Sequence, residues 1–141
     1  MPNTVMKKMQ NVQNTAARIV TRTSRYSHIT PVLKELHWLP VQYRVQYKTL
    51  TTTYKALHGQ SPEYIQNMLK VYSPQRNLRS KHNATTLVVP SCRTAMYGDR
   101  SFVTIAPKLW NSLPAGIRDC DTFASFKRAL KTHFFIEKYG N

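Results

Sequence analysis

The chain is poor in acidic residues. Six Asp and Glu stand against 21 Lys and Arg in 141 residues, which gives a net charge of +15 at pH 7. A surplus of this sign attracts polyanions, and nucleic-acid phosphates are the commonest partner, although an anionic membrane or an acidic protein surface fits as well. Polymerases and nucleases need clustered carboxylates to hold two metal ions. The shortage of acids therefore predicts that the chain has no catalytic residues.

Cysteines and long apolar runs are also scarce. Cys92 and Cys120 are too few for a disulfide framework, and no apolar run reaches the length of a signal peptide or a membrane span. These features predict an intracellular protein of the nucleus or cytoplasm. The five His and two Cys never fall into CxxC or HxxxH spacing, and there is no P-loop or GxGxxG. We therefore expect neither a metal site nor a cofactor.

The stretch Pro40–His58 predicts the central helix. Pro40 suits the first helical position and Gly59 suits a left-handed cap at the far end. Between them, apolar and aromatic residues at spacings of +4, +3, +4 and +3 fall on one helical face. These residues are Tyr43, Tyr47, Leu50, Tyr54 and Leu57. Packing in the core is the ordinary role of such a face.

The rest of the chain predicts a mainly α fold, formally α+β, with one compact helical domain over residues 1–141 and a small β-hairpin. Two further amphipathic helices, Thr4–Arg22 and Thr122–Ile136, should form the core with the central helix. The first has a broad apolar face that includes Met9, Val12, Ala16, Ala17, Ile19 and Val20. The last is capped by Asp121 or Thr122 and has an apolar stripe formed by Phe123, Phe126, Leu130 and Phe134.

Shorter elements lie between these helices. Cap and proline signals predict short helices from Thr30 to Leu36, from Ser61 to Lys70 and from Pro107 to Leu113. The hairpin would pair Thr85–Val89 with Arg93–Tyr97. Ser101–Ile105 fits a strand or the start of a helix equally well.

Several phrases, in this order, carry a resemblance to a known family. They are LHWLPV, KALHG followed by SPEYI, LRS, GDRSF and APKLWNSLP. The chain resembles, over about Gln10 to Phe135, the C-terminal tail of the reverse transcriptase polyproteins of non-LTR retrotransposons (LINE elements, jockey-like superfamily). The resemblance implies a post-polymerase segment that helps to hold RNA or DNA, without the catalytic palm of the parent RNA-directed DNA polymerase. Asp99 is followed by Arg100, where a polymerase would carry a second carboxylate.

Charge and position together predict a nucleic-acid-binding surface. Bases recur beside the three apolar stripes and in the basic stretch Val71–Asn83, so RNA or single-stranded DNA should bind through phosphate contacts. A protein partner, as in a host-coopted basic interaction module, and a decayed element fragment without function remain alternatives. The oligomeric state stays open. The predicted nucleic-acid-binding residues are Arg18, Arg22, Arg25, Arg44, Lys48, Lys55, Arg76, Arg79, Lys81, Lys127, Arg128 and Lys131.

Overall fold

The structure is a computed structural model that describes residues 3–73, 85–91 and 101–140. In this part of the chain the fold is mainly helical, as predicted, with seven helices. They are α1 (Asn3–Thr21), α2 (Ile29–Glu35), α3 (Val41–Leu57), α4 (Glu63–Gln66), α5 (Phe102–Ser112), α6 (Ala115–Arg118) and α7 (Phe123–Tyr139).

The chain divides into two compact units. Unit 1 comprises Met1–Gln46 and Lys131–Asn141, and unit 2 comprises Tyr47–Leu130. The division falls within α3 and within α7, so each of these helices contributes residues to both units. The predicted single domain stays a prediction.

Unit 1 is built around a small apolar cluster in which Ala17, Val32, Leu33 and Tyr139 are buried. The hydroxyl of Tyr139 donates to the backbone oxygen of Trp38 at 2.8 Å, so the one polar atom of this buried ring has a partner. Because burial removes water from the phenol, it raises the pKa of Tyr139. The end of α7 is thus fastened to the turn that follows α2.

Unit 2 has an aromatic core. The rings of Tyr54 and Phe126 stack with their centroids 4.5 Å apart, and Trp110 lies 5.7 Å from Phe126. All three side chains are at most 1% exposed. Aromatic pairs at these distances stabilise a core by about 0.5–1.5 kcal/mol beyond their area burial. Leu50 and Leu130 are also fully buried, as the predicted stripes of α3 and α7 require.

The Gly59 cap of the central helix is confirmed, whereas Pro40 lies one residue before the helix and not at its first position. Helix α3 begins directly after Pro40, whose carbonyl accepts the Arg44 N–H at 3.0 Å. Gly59 follows the last turn with a φ of +68°, the left-handed conformation that glycine adopts without strain. The predicted cap of the last helix is confirmed as well, because Thr122 Oγ1 accepts the Ser125 N–H at 3.2 Å.

The first helix contradicts its predicted packing. Of its broad apolar face, Val12, Ile19 and Val20 are 70%, 73% and 62% exposed, and only Ala17 is buried as predicted. The polar Gln13 is buried as well. The reason is hydrogen bonding rather than apolar burial. Gln13 Nε2 donates to the backbone oxygen of Leu39 at 2.9 Å, and this bond turns the polar side of α1 inward.

Two short helices begin elsewhere than predicted. The N-cap of α2 is His28 rather than Thr30, so the helix starts at Ile29. The N-cap of α4 is Pro62, and the hydroxyl of Ser61, the predicted cap, is buried without a hydrogen-bond partner among the described residues. Helix α4 also ends at Gln66, short of the predicted Lys70, because the chain there passes into turns.

The predicted hairpin is not found in the described residues. Leu87 instead forms an isolated antiparallel bridge with Val71, and Tyr72 N–H donates to the Thr86 oxygen at 2.8 Å. The other predicted strand, Arg93–Tyr97, lies outside the described residues. The pairing of the two predicted strands therefore stays a prediction.

Helix α5 starts earlier than predicted. It begins at Phe102, so Pro107 lies inside the helix rather than at its start. A proline at that point removes the N–H that would bond to the Val103 oxygen and crowds that oxygen, whereas the N–H groups of Thr104 and Ile105 bond to the Ser101 oxygen and complete the first turn. Pro107 is nearly fully buried, and this packing offsets the lost hydrogen bond. Ser101–Ile105 is therefore the start of a helix and not a strand.

Candidate nucleic-acid interface

Two of the predicted cations meet at one aromatic ring in unit 2. Lys55 Nζ of α3 lies 4.8 Å from the ring centroid of Phe123, and Lys127 Nζ of α7 lies 4.9 Å from the same centroid. At these distances each ammonium is attracted to the π electrons of the ring. We call Lys55, Lys127 and Phe123 the lysine pair site.

The ring at the centre of this site is held firmly. Phe123 is the first residue of α7, directly after the Thr122 cap, and its ring lies 5.8 Å from that of Tyr54. The Tyr54 hydroxyl in turn donates to the Cys120 backbone oxygen at 2.8 Å. Burial raises the pKa of Tyr54, and Cys120 and Asp121 raise it further, so the phenol stays neutral. The lysine pair site therefore rests on the buried aromatic core.

No carboxylate neutralises the lysine pair in the described part of the chain. Both lysine side chains are exposed, and the ion pair found in α7 joins His133 to Glu137 at 3.9 Å. Two like charges near one ring repel each other, and an anion between them removes that repulsion. Arg128, which follows Lys127, is also exposed. This arrangement suits a phosphate group.

A second group of cations lies at the end of α1 in unit 1. Arg18 Nη1 donates to the Ser24 backbone oxygen at 2.5 Å, and Arg22 takes a left-handed φ of 53° that ends the helix. The Arg25 guanidinium lies 5.7 Å from the ring of Tyr26, which is 90% exposed. An exposed aromatic beside arginines is the combination that single-stranded nucleic acids use for stacking. We call Arg18, Arg22, Arg25 and Tyr26 the arginine site.

The other predicted residues are not brought together by contacts that the structure describes. Arg44 and Lys131 are exposed in unit 1, and Lys48 is exposed in unit 2. Their predicted role in nucleic-acid binding stays a prediction. The remaining predicted residues lie outside the described residues: Arg76, Arg79 and Lys81.

Sequence reasoning assigned Phe123 to the buried stripe of α7 and missed its role between two lysines. One signal was present, because Phe123 and Lys127 are four residues apart and so meet on a helix surface. The approach of Lys55 had no such signal, since it depends on how α3 packs against α7 within unit 2.

A cleft of about 560 Å³ also lies in unit 2, and sequence reasoning did not foresee it. Arg118, Asp119 and Asp121 are among the residues that line it, and the Arg118 guanidinium donates to the Thr85 backbone oxygen at 3.2 Å. Its charges largely compensate one another, in contrast to the lysine pair site. The cleft therefore does not favour a polyanion.

The chain matches no protein-family model, no curated protein and no solved structure. Two observations bear on other kinds of site within the described ranges. No group of three or more His, Cys, Asp or Glu side chains there is placed to hold a metal ion. None of the helices in those ranges combines the length and the apolar character needed to cross a membrane.

Proposed function

We propose that the chain is a non-catalytic module that binds RNA or single-stranded DNA through its phosphates. The observation that carries the proposal is the lysine pair site, where two exposed ammonium groups from different helices share one ring and no described carboxylate pairs with them. The resemblance to retrotransposon polyprotein tails supports the same role. On this proposal the chain acts as the nucleic-acid-holding tail of such a polyprotein and has no polymerase chemistry of its own.

The charge of each unit supports this function. Unit 1 holds nine Lys and Arg against two carboxylates, and unit 2 holds twelve against four. Neither unit can therefore neutralise its own cations. Lysine ammonium groups contact phosphates as point charges without reading bases, so we expect little sequence preference. Each neutralised phosphate of a single strand releases counterions and adds about 0.7 to the slope of log affinity against log salt.

The test is a gel-shift titration across salt concentrations with RNA, single-stranded DNA, duplex DNA and heparin. Wild-type affinity should fall linearly in log–log terms as salt rises. The double variant Lys55→Gln with Lys127→Gln should flatten that slope by about 0.7 to 1.4 units, since it removes one or two phosphate contacts at about 0.7 each. Glutamine keeps much of the side-chain length and removes the charge.

The matched control is Lys70→Gln with Lys138→Gln. Both lysines are exposed and lie outside the lysine pair site and the arginine site, so the control removes equal charge elsewhere. If the slope changes equally in the two double variants, binding depends on the overall charge of the chain and not on the lysine pair site. Equal affinity for heparin, binding that ignores salt, or no binding at low salt would reject the function itself.

A further inference from the structure

Helix α1 turns its apolar side away from unit 1. Val5, Met9, Val12, Ala16 and Ile19 follow one another at spacings of +4, +3, +4 and +3, so they form one line along the helix. We call these five residues the outer stripe. Val5 and Met9 are 42% and 44% exposed, and Val12 and Ile19 are 70% and 73% exposed. Ala16 is half-buried. A contiguous exposed apolar surface is a feature of interaction sites, whereas apolar side chains scattered singly over a surface are ordinary.

The rotation of α1 is fixed by polar contacts on its other side. Gln10 Oε1 accepts the Val41 N–H at 2.9 Å, and Gln13 Nε2 donates to the Leu39 backbone oxygen at 2.9 Å. Gln10 Nε2 also donates to Asn14 Oδ1 at 2.8 Å. A rotation that buried the outer stripe in unit 1 would break the first two of these bonds and leave a buried carbonyl and amide unpaired. These hydrogen bonds therefore keep the outer stripe directed away from unit 1.

The spacing of the outer stripe indicates what kind of surface covers it. Alternating steps of three and four residues produce the narrow apolar seam through which one helix packs along another. The exposed Lys8 lies on the flank of the seam, the exposed Arg22 directly follows the last residue of α1, and the sequence of α1 contains no acidic residue. In helix pairs the positions beside the seam choose the partner by charge, and cationic flanks favour a helix with Glu or Asp there.

A second copy of the chain is the wrong partner on this argument. It would bring the nine Lys and Arg of one unit 1 against the same nine of the other, with only two carboxylates in each. Like charges across an interface oppose association.

We propose that the outer stripe is a docking surface for an acidic amphipathic helix of a partner protein. The outer stripe supplies the apolar contact, and Lys8 and Arg22 supply attraction to the acidic flank of that helix. Arg22 also belongs to the arginine site, whereas the five residues of the outer stripe belong to neither cationic site, so substitutions in the stripe test this interaction apart from nucleic-acid binding.

The probe is a synthetic three-heptad peptide with Leu at the seam positions and Glu at the flanking positions, used below its self-association concentration with the full chain. A second peptide carries Lys in place of Glu. Fluorescence anisotropy should show binding of the acidic peptide and at least about tenfold weaker binding of the basic one, because the charge complementarity is reversed.

The variant Val12→Glu with Ile19→Glu should weaken binding of the acidic peptide at least about tenfold, since buried interface anchors carry most of the affinity. Both side chains are largely exposed, so helicity by circular dichroism should not change. The matched control is Thr4→Glu with Asn11→Glu, which places the same charges at exposed α1 positions outside the stripe. It should keep affinity within about threefold.

Four results would overturn the proposal. The first is equal loss in the stripe variant and in the control, and the second is equal affinity for the two peptides. The third is a wild-type dimer in sedimentation that the stripe variant dissociates, which would identify a second copy as the occupant. The fourth is binding to anionic phosphatidylserine vesicles, lost in the stripe variant, without binding of the acidic peptide.

Discussion

Tyr54→Phe should destabilise the folded chain by about 1 kcal/mol at neutral pH. The Tyr54 side chain is 1% exposed, and its hydroxyl donates to the Cys120 backbone oxygen at 2.8 Å. Phenylalanine keeps the stacking on Phe126 and on His58, whose ring centroid lies 3.9 Å away, so the change removes one hydrogen bond and little packing. A typical intramolecular hydrogen bond contributes about 0.5–1.5 kcal/mol net, which sets the expected range.

The size of this effect should depend on pH in one direction. Burial raises the pKa of Tyr54 above the ordinary value of about 10, so the folded state keeps a proton that the unfolded state loses. The stability that comes from this group is fully present below about pH 10 and is lost as pH rises through the folded pKa. Phenylalanine has no proton to lose. The difference between wild type and Tyr54→Phe should therefore shrink above about pH 10, at most by about 1.4 kcal/mol per pH unit.

Urea unfolding, followed by tryptophan fluorescence at a series of pH values between about 7 and 11, measures the free energy of unfolding of each variant. The difference at pH 7 tests the hydrogen bond, and its change with pH tests the raised pKa, since about 1.36 kcal/mol corresponds to a change of one in pKa. Tyr64→Phe is the control, since Tyr64 is 64% exposed and its loss should change the free energy of unfolding by less than about 0.5 kcal/mol. Equal stability of wild type and Tyr54→Phe at pH 7 would refute the hydrogen bond. A difference that stayed constant up to about pH 11 would refute the raised pKa.

Two further substitutions test single features of unit 2 in the same urea assay. Gly59→Ala should cost about 1 kcal/mol of folding free energy, because the φ of +68° strains any L side chain even though a Cβ there meets no atom. Gly116→Ala is the control, since a Cβ there is equally unobstructed and the φ is not positive. It should cost less, and equal costs would refute the strain. Asn111→Ala should cost about 2–3 kcal/mol of folding free energy and speed hydrogen exchange of the Leu87 amide, because the Asn111 side chain bonds both the N–H and the oxygen of Leu87, at 2.9 and 2.8 Å. Ser112→Ala, at an exposed position, is the control, and unchanged exchange in Asn111→Ala would contradict the prediction.

The parts of the fold that local sequence determines were predictable. Pro40 and Gly59 bracket α3 because one residue fits a first helical turn and the other a left-handed cap, and neither property depends on the rest of the chain. The buried positions Leu50 and Phe126 follow from helical spacing in the same way. Helical spacing therefore predicts the buried residues of a helix correctly when the fold buries the apolar face of that helix.

The outward apolar side of α1 was not predictable for the opposite reason. Periodicity shows that Val12 and Ile19 share a face, but it does not show which face the rest of the chain will cover. Hydrogen bonds from Gln10 and Gln13 to residues about 30 positions away decide that question. Such bonds leave no local pattern, because a glutamine in a helix is more often solvated than buried. The pairing of Leu87 with Val71 is non-local in the same sense.

The lysine pair site and the arginine site differ in how much side-chain conformational entropy is lost when a phosphate binds. A free lysine or arginine side chain loses up to about 2 kcal/mol of rotamer entropy when it is fixed. At the lysine pair site both ammonium groups already lie over Phe123, whose ring contacts the buried Tyr54, so part of this entropy is lost before any ligand arrives. At the arginine site the Arg25 guanidinium lies beside a Tyr26 ring that is 90% exposed and packs against little else. For equal charge, a phosphate should therefore bind more tightly at the lysine pair site, because preorganised groups pay less on binding.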